Sequence, residues 1–348
     1  MDLQEFTLTI SAGNNLTYDQ AFQVAGLMTQ SEVPQDEKAA FLTQLAQKGE
    51  VSDEVAGFAA CFRELARNPG LEKWQASAID VCGTGGDKQG TFNISTTTTF
   101  VLSAAGVPVF KHGNRSITSK CGSSNLLEAI GVKIDADDAT LRKSMEELGF
   151  CFMFAPAFHP AFKEIMPVRQ ALAAKGQRSI FNILGPLINP AHPAYQLLGV
   201  FSPSIIEVMA GALEKVGLKS GVIAHCDLGE SGGMDEFSVA GGNLAKGIGK
   251  LRSFPGTWDV EKFKIEPGKL SELEGGDVAV NLQILDSLLA GNAPKALQDT
   301  VALNAGIALY IAEKCSSVED GFATATDLLL GGEVRAKISD TKEFYSSI

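Results

Sequence analysis

Basic side chains are scarce in this sequence: 29 lysines and arginines stand against 41 aspartates and glutamates, for a net charge of −12. An acidic balance of this kind argues against a general nucleic-acid or anionic-membrane surface, and confines anion binding to a locally basic pocket. Cysteine is sparse and scattered. Cys61, Cys82, Cys121, Cys151, Cys226 and Cys315 form no CxxC pair, which argues against a zinc site or a disulfide framework and for small apolar packing in a reducing compartment. No apolar run approaches the roughly 18 residues of a membrane helix. The opening MDLQEFTLTI has no basic stretch followed by an apolar one, so no secretory leader is expected and the location is expected to be cytoplasmic.

What remains is a chain of 348 residues, 45% hydrophobic and 20% charged, enough for a large core and more than one domain. Residues 1–70 carry helical patterns only. Thr17 with Gln20 forms a capping-box pattern, Pro34 opens and Gly49 closes a second helix, and Ser52 is a candidate cap for a third. From about residue 78 short apolar strands alternate with helices: AIDVCG, VPVFKHG, VKID, FCFMFAP, YQLLGVFSP and GVIAHCD. Such runs predict a mostly parallel sheet covered on both faces, with the strand C-terminal ends along one edge. The C-terminal part returns to helices, at about 276–290, 295–314 and 318–330. The expected fold is α/β: a small helical domain (1–70, with about 160–190 packing back on it) and a larger α/β domain (71–159 and 191–348), with a ligand cleft between them.

Four stretches carry chemistry. In DVCGTGGDKQGTFNIST, 80–96, glycines follow a strand and precede a helix, as in loops that bind phosphate through backbone N–H groups. Neither GxGxxG nor GxxxxGK[ST] fits. Asn93, Ser95 and Thr96 supply more polar groups than an N-cap alone requires. KHGNRSITSKCGSSN, 111–125, is the strongest cationic cluster of the chain and falls at the same sheet edge; its His112 is not read as a general base. In GGMDEFS, 232–238, Asp235 and Glu236 form an acidic pair after a strand; facing a phosphate loop, it suits Mg²⁺ bridging. Arg169, in MPVRQAL, can clasp a substrate carboxylate if it faces the cleft. His159 reads equally well as a helix-entry residue before Pro160.

GTGGDKQGTFNIST, KHGNRSITSKCGSS, RSIFNILGPLINPA and MDEFS occur in this order, and together they resemble the anthranilate phosphoribosyltransferase family, of the class III phosphoribosyltransferases. The resemblance runs over nearly the whole chain. It implies a homodimer joined through the helical domains, 5-phosphoribosyl 1-pyrophosphate (PRPP) and anthranilate as substrates, and two Mg²⁺ per subunit. By motif match, Gly83, Gly86, Asp87, Thr91, Asn93, Ser95, Thr96, Lys111, Ser119 and Ser123 contact PRPP or its metal. Ser95 with Glu236 would hold one Mg²⁺, and Asp235 with Glu236 the other. Gly83, Asn114 and Arg169 would bind anthranilate. No side chain is expected to act as a catalytic base; Lys111 and the metals would stabilise charge.

Two stretches depart from the family pattern. LAAKGQRS after Arg169 and HCDLGESGGMDE, which ends at Glu236, are both longer than usual, and Cys226 stands where glycine is usual. Alternative readings are a related enzyme acting on another aromatic amine, a pyrimidine nucleoside phosphorylase, and a non-catalytic nucleic-acid-binding relative. The KHSTGG loop of the phosphorylases is CGTGGD here. The retained GTGGD and DE motifs and the acidic charge weigh against nucleic acid as a partner, and no membrane is expected.

Overall fold

The computed structural model describes residues 1–115 and 120–348. Four helices open the chain: α1 (Leu3–Ser11), α2 (Tyr18–Met28), α3 (Gln35–Lys48) and α4 (Ser52–Glu64). Thr17 and Gln20 form the reciprocal capping box that starts α2, and Gly49 ends α3 with a positive φ of 86°. The start of α4 differs from expectation. Ser52 is already helical, and the buried Glu54 carboxylate accepts the N–H groups of Val51 and Leu16 and pairs with Lys48. One internal carboxylate thereby satisfies a helix start and ties it to the preceding loop. Helix α1, not singled out in the sequence, starts on a capping box of its own, Asp2 with Glu5.

After the short α5 (Glu72–Gln75) comes the alternating part: β1 (Ile79–Gly83), α6 (Ile94–Ala104), β2 (Val109–Gly113), α7 (Ser123–Ile130), α8 (Asp138–Glu147), β3 (Phe150–Phe154), α9 (Ala155–Phe158), α10 (Met166–Ala174), β4 (Tyr195–Gly199), α11 (Ile206–Lys215) and β5 (Ser220–Asp227). Then follow β6 (Gly233–Met234), β7 (Gly242–Gly249), β8 (Thr257–Trp258), α12 (Val278–Leu289), α13 (Lys295–Ile311), α14 (Val318–Gly331) and α15 (Glu333–Ser346). The sheet order is β3-β2-β1-β4-β5-β7-β8, with β6 beside β5. The strands from β3 to β5 are parallel; β6, β7 and β8 are antiparallel.

The expected strand VKID is not a strand. Val132 and Ile134 are buried and Lys133 and Asp135 exposed, the alternation the sequence shows. The segment nevertheless leaves α7 through Gly131 at φ 111°, and Val132 N–H caps the Leu127 carbonyl. With its apolar side chains packed in the core cluster and no ladder to join, it stays a turn.

One face of the sheet packs on α6 and α13, and α12, α14 and α15 pack around these helices within the same large apolar cluster. The other face shares a second cluster with α1–α4 and α11, and Ile165, Val168, Leu172, Ile180, Phe181, Leu184 and Leu187 belong to that cluster too. The segment carrying Arg169 therefore packs with the N-terminal helices while its ends stay tied to the sheet. Buried Asn189 donates to Asp80 Oδ2 on β1 (2.9 Å) and to the Phe110 carbonyl on β2 (2.8 Å). Right-handed connections bring the ends of β1, β2, β4 and β5 to one edge, where the functional motifs meet.

Candidate functional site

The donor-type loop begins at the end of β1. Gly83 pairs in register with Gly199 of β4, and the chain then turns through Gly85 (φ 70°) and Gly86 (φ 82°), a left-handed conformation that glycine adopts at little cost. Asp87 does not point at random: its carboxylate accepts Gln89 N–H at 3.2 Å. Gln89 Nε2 reaches the carbonyls of Ser231 and Gly233, so the longer loop before Asp235 is anchored to the donor loop. Its extra residues form a tight return, with Met234 pairing back on Cys226.

That return seats Asp235 under the glycines. Asp235 Oδ2 accepts the N–H of Gly85 at 2.6 Å. A β-carbon at Gly83 would collide with the same carboxylate, and one at Gly199 would collide with the Asp235 carbonyl. These two glycines are thus required for close approach, not for unusual φ. Burial, followed by the charge of Asp87, pushes the Asp235 carboxyl up to about 7. Burial and the charge of Asp235 push Glu236 up to about 8, against the opposing pull of Lys111 and of the Ser95 N–H.

Lys111 leaves β2 almost fully buried, and its Nζ donates to the Val81 carbonyl at 3.0 Å and reaches Ser95 Oγ at 3.5 Å. Asn93 precedes α6 but makes no side-chain cap bond. Its amide instead donates to the Cys121 carbonyl and accepts from Asn281. Capping therefore does not explain it. Thr96 Oγ1 is buried without a partner, and Ser123 is the first residue of α7. Thr91 is bridged to Glu274. Ser119 lies outside the described residues.

Aromatic and basic groups meet further along the edge. Arg169 on α10 is partly buried, with its guanidinium 5.6 Å from the Phe162 ring centre and 5.7 Å from that of Phe181. Burial lowers its pKa, and it has no carboxylate partner among the described residues. A partly desolvated guanidinium beside two aromatic rings suits a flat aromatic carboxylate. Asn114, exposed after β2, has its Oδ1 taken up by Arg115 N–H.

The sequence missed the histidine pair. His112 and His159 stack edge-on at 5.2 Å, and His159 meets Phe162 at 5.8 Å, so the end of β2 is continuous with the Arg169 pocket. Burial pushes His112 down to about 3, helped by His159, and His159 down to about 4. The only signals in the sequence were the position of His112 at the end of a strand and that of His159 at a helix entry before Pro160. Both imidazoles stay neutral in the fold, whereas free histidine titrates near 6.5. As pH falls below about 6.5 the unfolded chain takes up protons that the folded chain cannot, and stability is lost by on the order of a few kcal/mol toward pH 4. His159→Phe is expected to flatten that loss in denaturant midpoints compared at pH 7 and 4.5; an unchanged acid slope would assign it to other groups.

The donor set formed by Asp87, Asp235, Glu236 and Ser95 consists of oxygens, and the crowded carboxyls of Asp235 and Glu236 are held above their usual range. Both facts fit a hard divalent cation such as Mg²⁺. Among the described residues no three His, Cys, Asp or Glu side chains close a metal cage, so bound metal would draw further oxygen ligands from substrate and water. Two cavities, about 210 Å³ beside Arg63 and about 300 Å³ beside Trp258, contain none of these residues.

Comparison with known proteins places the chain in a family. Residues 4–66 match the helical bundle domain of a glycosyl transferase family and residues 75–335 its a/b domain. The chain is 40% identical over 346 residues to an anthranilate phosphoribosyltransferase from Desulfatibacillum aliphaticivorans, covering 98% of each. It also matches the bifunctional protein TrpGD of Thermotoga maritima, at 36% identity over 335 residues, spanning 96% of this chain and 55% of that one. The crystal structure of anthranilate phosphoribosyltransferase from Thermus thermophilus superposes with a TM-score of 0.88 at 37% identity, over 99% of this chain and 100% of that one. The Saccharomyces cerevisiae enzyme in complex with PRPP and Mg, at 22% identity, shares the fold with a TM-score of 0.82, over 99% of this chain and 98% of that one. The chain belongs to the anthranilate phosphoribosyltransferase family.

Proposed function

We propose that this protein transfers the phosphoribosyl group of PRPP to the amine of anthranilate, giving N-(5-phosphoribosyl)anthranilate and pyrophosphate, a step of tryptophan biosynthesis. The observation that carries this reading lies along one strand edge. An oxygen-rich, glycine-lined loop sits there with a guanidinium beside the Phe162 and Phe181 rings that has no acidic partner among the described residues. The first suits a metal-bound pyrophosphate donor, the second an aromatic carboxylate.

In this reading Gly83, Gly86, Asp87, Thr91, Asn93, Ser95, Thr96, Lys111, Ser119 and Ser123 hold PRPP, and Gly83, Asn114 and Arg169 hold anthranilate. Ser95 with Glu236, and Asp235 with Glu236, would hold two Mg²⁺ per subunit, which would neutralise charge on the departing pyrophosphate. Lys111 adds a fixed positive charge from the sheet. Arg169 orients the acceptor carboxylate, and the Phe162 and Phe181 rings exclude water from it. The amine is neutral at pH 7. As it attacks ribose C1 the new C1–N bond forms, the C1–O bond to pyrophosphate breaks, and the ammonium proton passes to solvent. The rate then comes from positioning and electrostatic stabilisation, with no side chain as an obligatory base.

The division into a helical unit (1–70 with about 160–190) and an α/β unit (71–159 and 191–348) belongs to the same proposal. So does pairing of two copies through the helical unit, where Leu8 on α1 is 72% exposed. No helix among the described residues is long and apolar enough to cross a membrane, and a cytoplasmic location is proposed. The reading is tested by following anthranilate fluorescence with PRPP and Mg²⁺, which is expected to decline with pyrophosphate release. No decline with anthranilate, but pyrophosphate release with a different aromatic amine, would replace the acceptor and keep the donor.

A further inference from the structure

The lengthened segment after Arg169 has a definite structure. Helix α10 ends with the Leu172 carbonyl accepting N–H groups from Lys175 and Gln177, and Gly176 turns the chain at φ 69°. Ser179 and Asn182 then cap the next helical turn, with Ser179 N–H on Asn182 Oδ1 at 2.8 Å. Between these two fixed points stands Arg178. Its side chain leaves the segment that packs with the N-terminal helices and crosses to the sheet edge. The guanidinium lies 3.9 Å from the ring centre of Phe201, just beyond β4. Its Nη2 donates to the Gly86 carbonyl at 3.3 Å. Phe201 is itself joined to the donor loop, since its N–H donates to Thr84 Oγ1 at 3.1 Å.

Arg178 has no acidic partner among the described residues. An exposed arginine on a surface loop normally samples many rotamers and makes no lasting contact. Here a flat stack and a backbone hydrogen bond meet on one guanidinium, and both reach the loop that turns through Gly85 and Gly86. That turn has left-handed backbone and few side-chain anchors of its own, so its direction depends on what grips its carbonyls.

We propose that Arg178 is a positioning residue for the PRPP loop: clamped against Phe201, it holds the Gly86 carbonyl and so fixes the loop amides that receive the pyrophosphate end of the donor, and the Asp87 carboxylate beside them, which would meet that end through Mg²⁺. The proposal rests on the functional reading above for the identity of the donor, but not for that of the acceptor. It also gives the longer segment a role, because the chain that carries Arg169 on the acceptor side then directly supports the donor side. Lysine cannot replace this arginine, since an ammonium cannot lie flat on the ring and donate sideways to a carbonyl in the same pose.

The test is calorimetric binding of PRPP with Mg²⁺ and no acceptor, on the full chain. Arg178→Ala, Arg178→Lys and Phe201→Leu are each expected to weaken PRPP binding by roughly tenfold, as loss of a stack and a backbone hydrogen bond would. The double variant Arg178→Ala/Phe201→Leu is expected to be no weaker than the worse single, because the two act as one unit. Melting temperatures of the two Arg178 variants are expected to stay within about 2 °C, as for an exposed side chain. Wild-type affinity in Arg178→Ala, full rescue by lysine, or multiplied losses in the double variant would each overturn the proposal. A wild-type protein that binds PRPP yet ignores anthranilate would sink the acceptor assignment and leave this result readable. One that binds no PRPP would end both.

Discussion

Gly199→Ala is expected to lower kcat/KM by roughly 100-fold or more while the protein still folds, because misplacing reacting groups by about an ångström carries a cost of that size. Gly199 is in register with Gly83 on one side and Ala224 on the other, in the middle of the parallel sheet. Its φ is not positive, so an alanine backbone fits there. The β-carbon does not fit: it would overlap the backbone carbonyl of Asp235, which cannot rotate away as a side chain would. Relief requires the Asp235–Glu236 segment to lift from the strand edge, and the Gly85 N–H to lose its carboxylate partner. Overpacking of this kind costs about 1–3 kcal/mol of stability, which a core of this size tolerates. Gly242→Ala is the control, since nothing lies within 4 Å of its would-be β-carbon. Kinetics at several Mg²⁺ concentrations check the result. Activity within about threefold of wild type would mean that the position of Asp235 does not matter to turnover.

The second large effect is expected at Arg169. Arg169→Ala is expected to raise the KM for anthranilate by roughly 100-fold and to leave the KM for PRPP within about twofold, because a charge-assisted, bidentate contact to one substrate is removed. Arg169→Lys keeps the charge but loses the planar fork, and an increase of roughly tenfold is expected. Among the described residues Arg169 has no acidic partner, so no ion pair has to be broken there before the acceptor binds. Equal changes in both KM values would show that Arg169 supports the fold of the segment rather than the acceptor.

Most of the proposed donor half rests on signals that are local in the sequence. Glycines between an apolar strand and a helix, followed by a carboxylate and by Asn93, Ser95 and Thr96, are local signals, and each depends on backbone conformation or hydrogen bonding over a few residues. The same holds for the Thr17 capping box and for the apolar runs that marked β1 to β5. Signals failed where distant partners decide. Val132–Asp135 alternates like a strand but has no ladder to join. Ser52 has the chemistry of a cap, and Glu54 does the capping because its carboxylate also serves Leu16 and Lys48.

The sequence by itself determined the helical start, the parallel order of strands and helices, the donor motif and the candidate acceptor arginine, because these are written in periodicities and short-range chemistry. Only the tertiary structure decided that Asp235 lies under Gly83 and Gly199, that His112 and His159 stack into the Arg169 pocket, and that Arg178 grips the donor loop through Phe201. The physical reason is the sheet. Parallel strands joined by long crossovers bring residues far apart in the chain to one edge, and spacing along the chain carries no record of which of them touch.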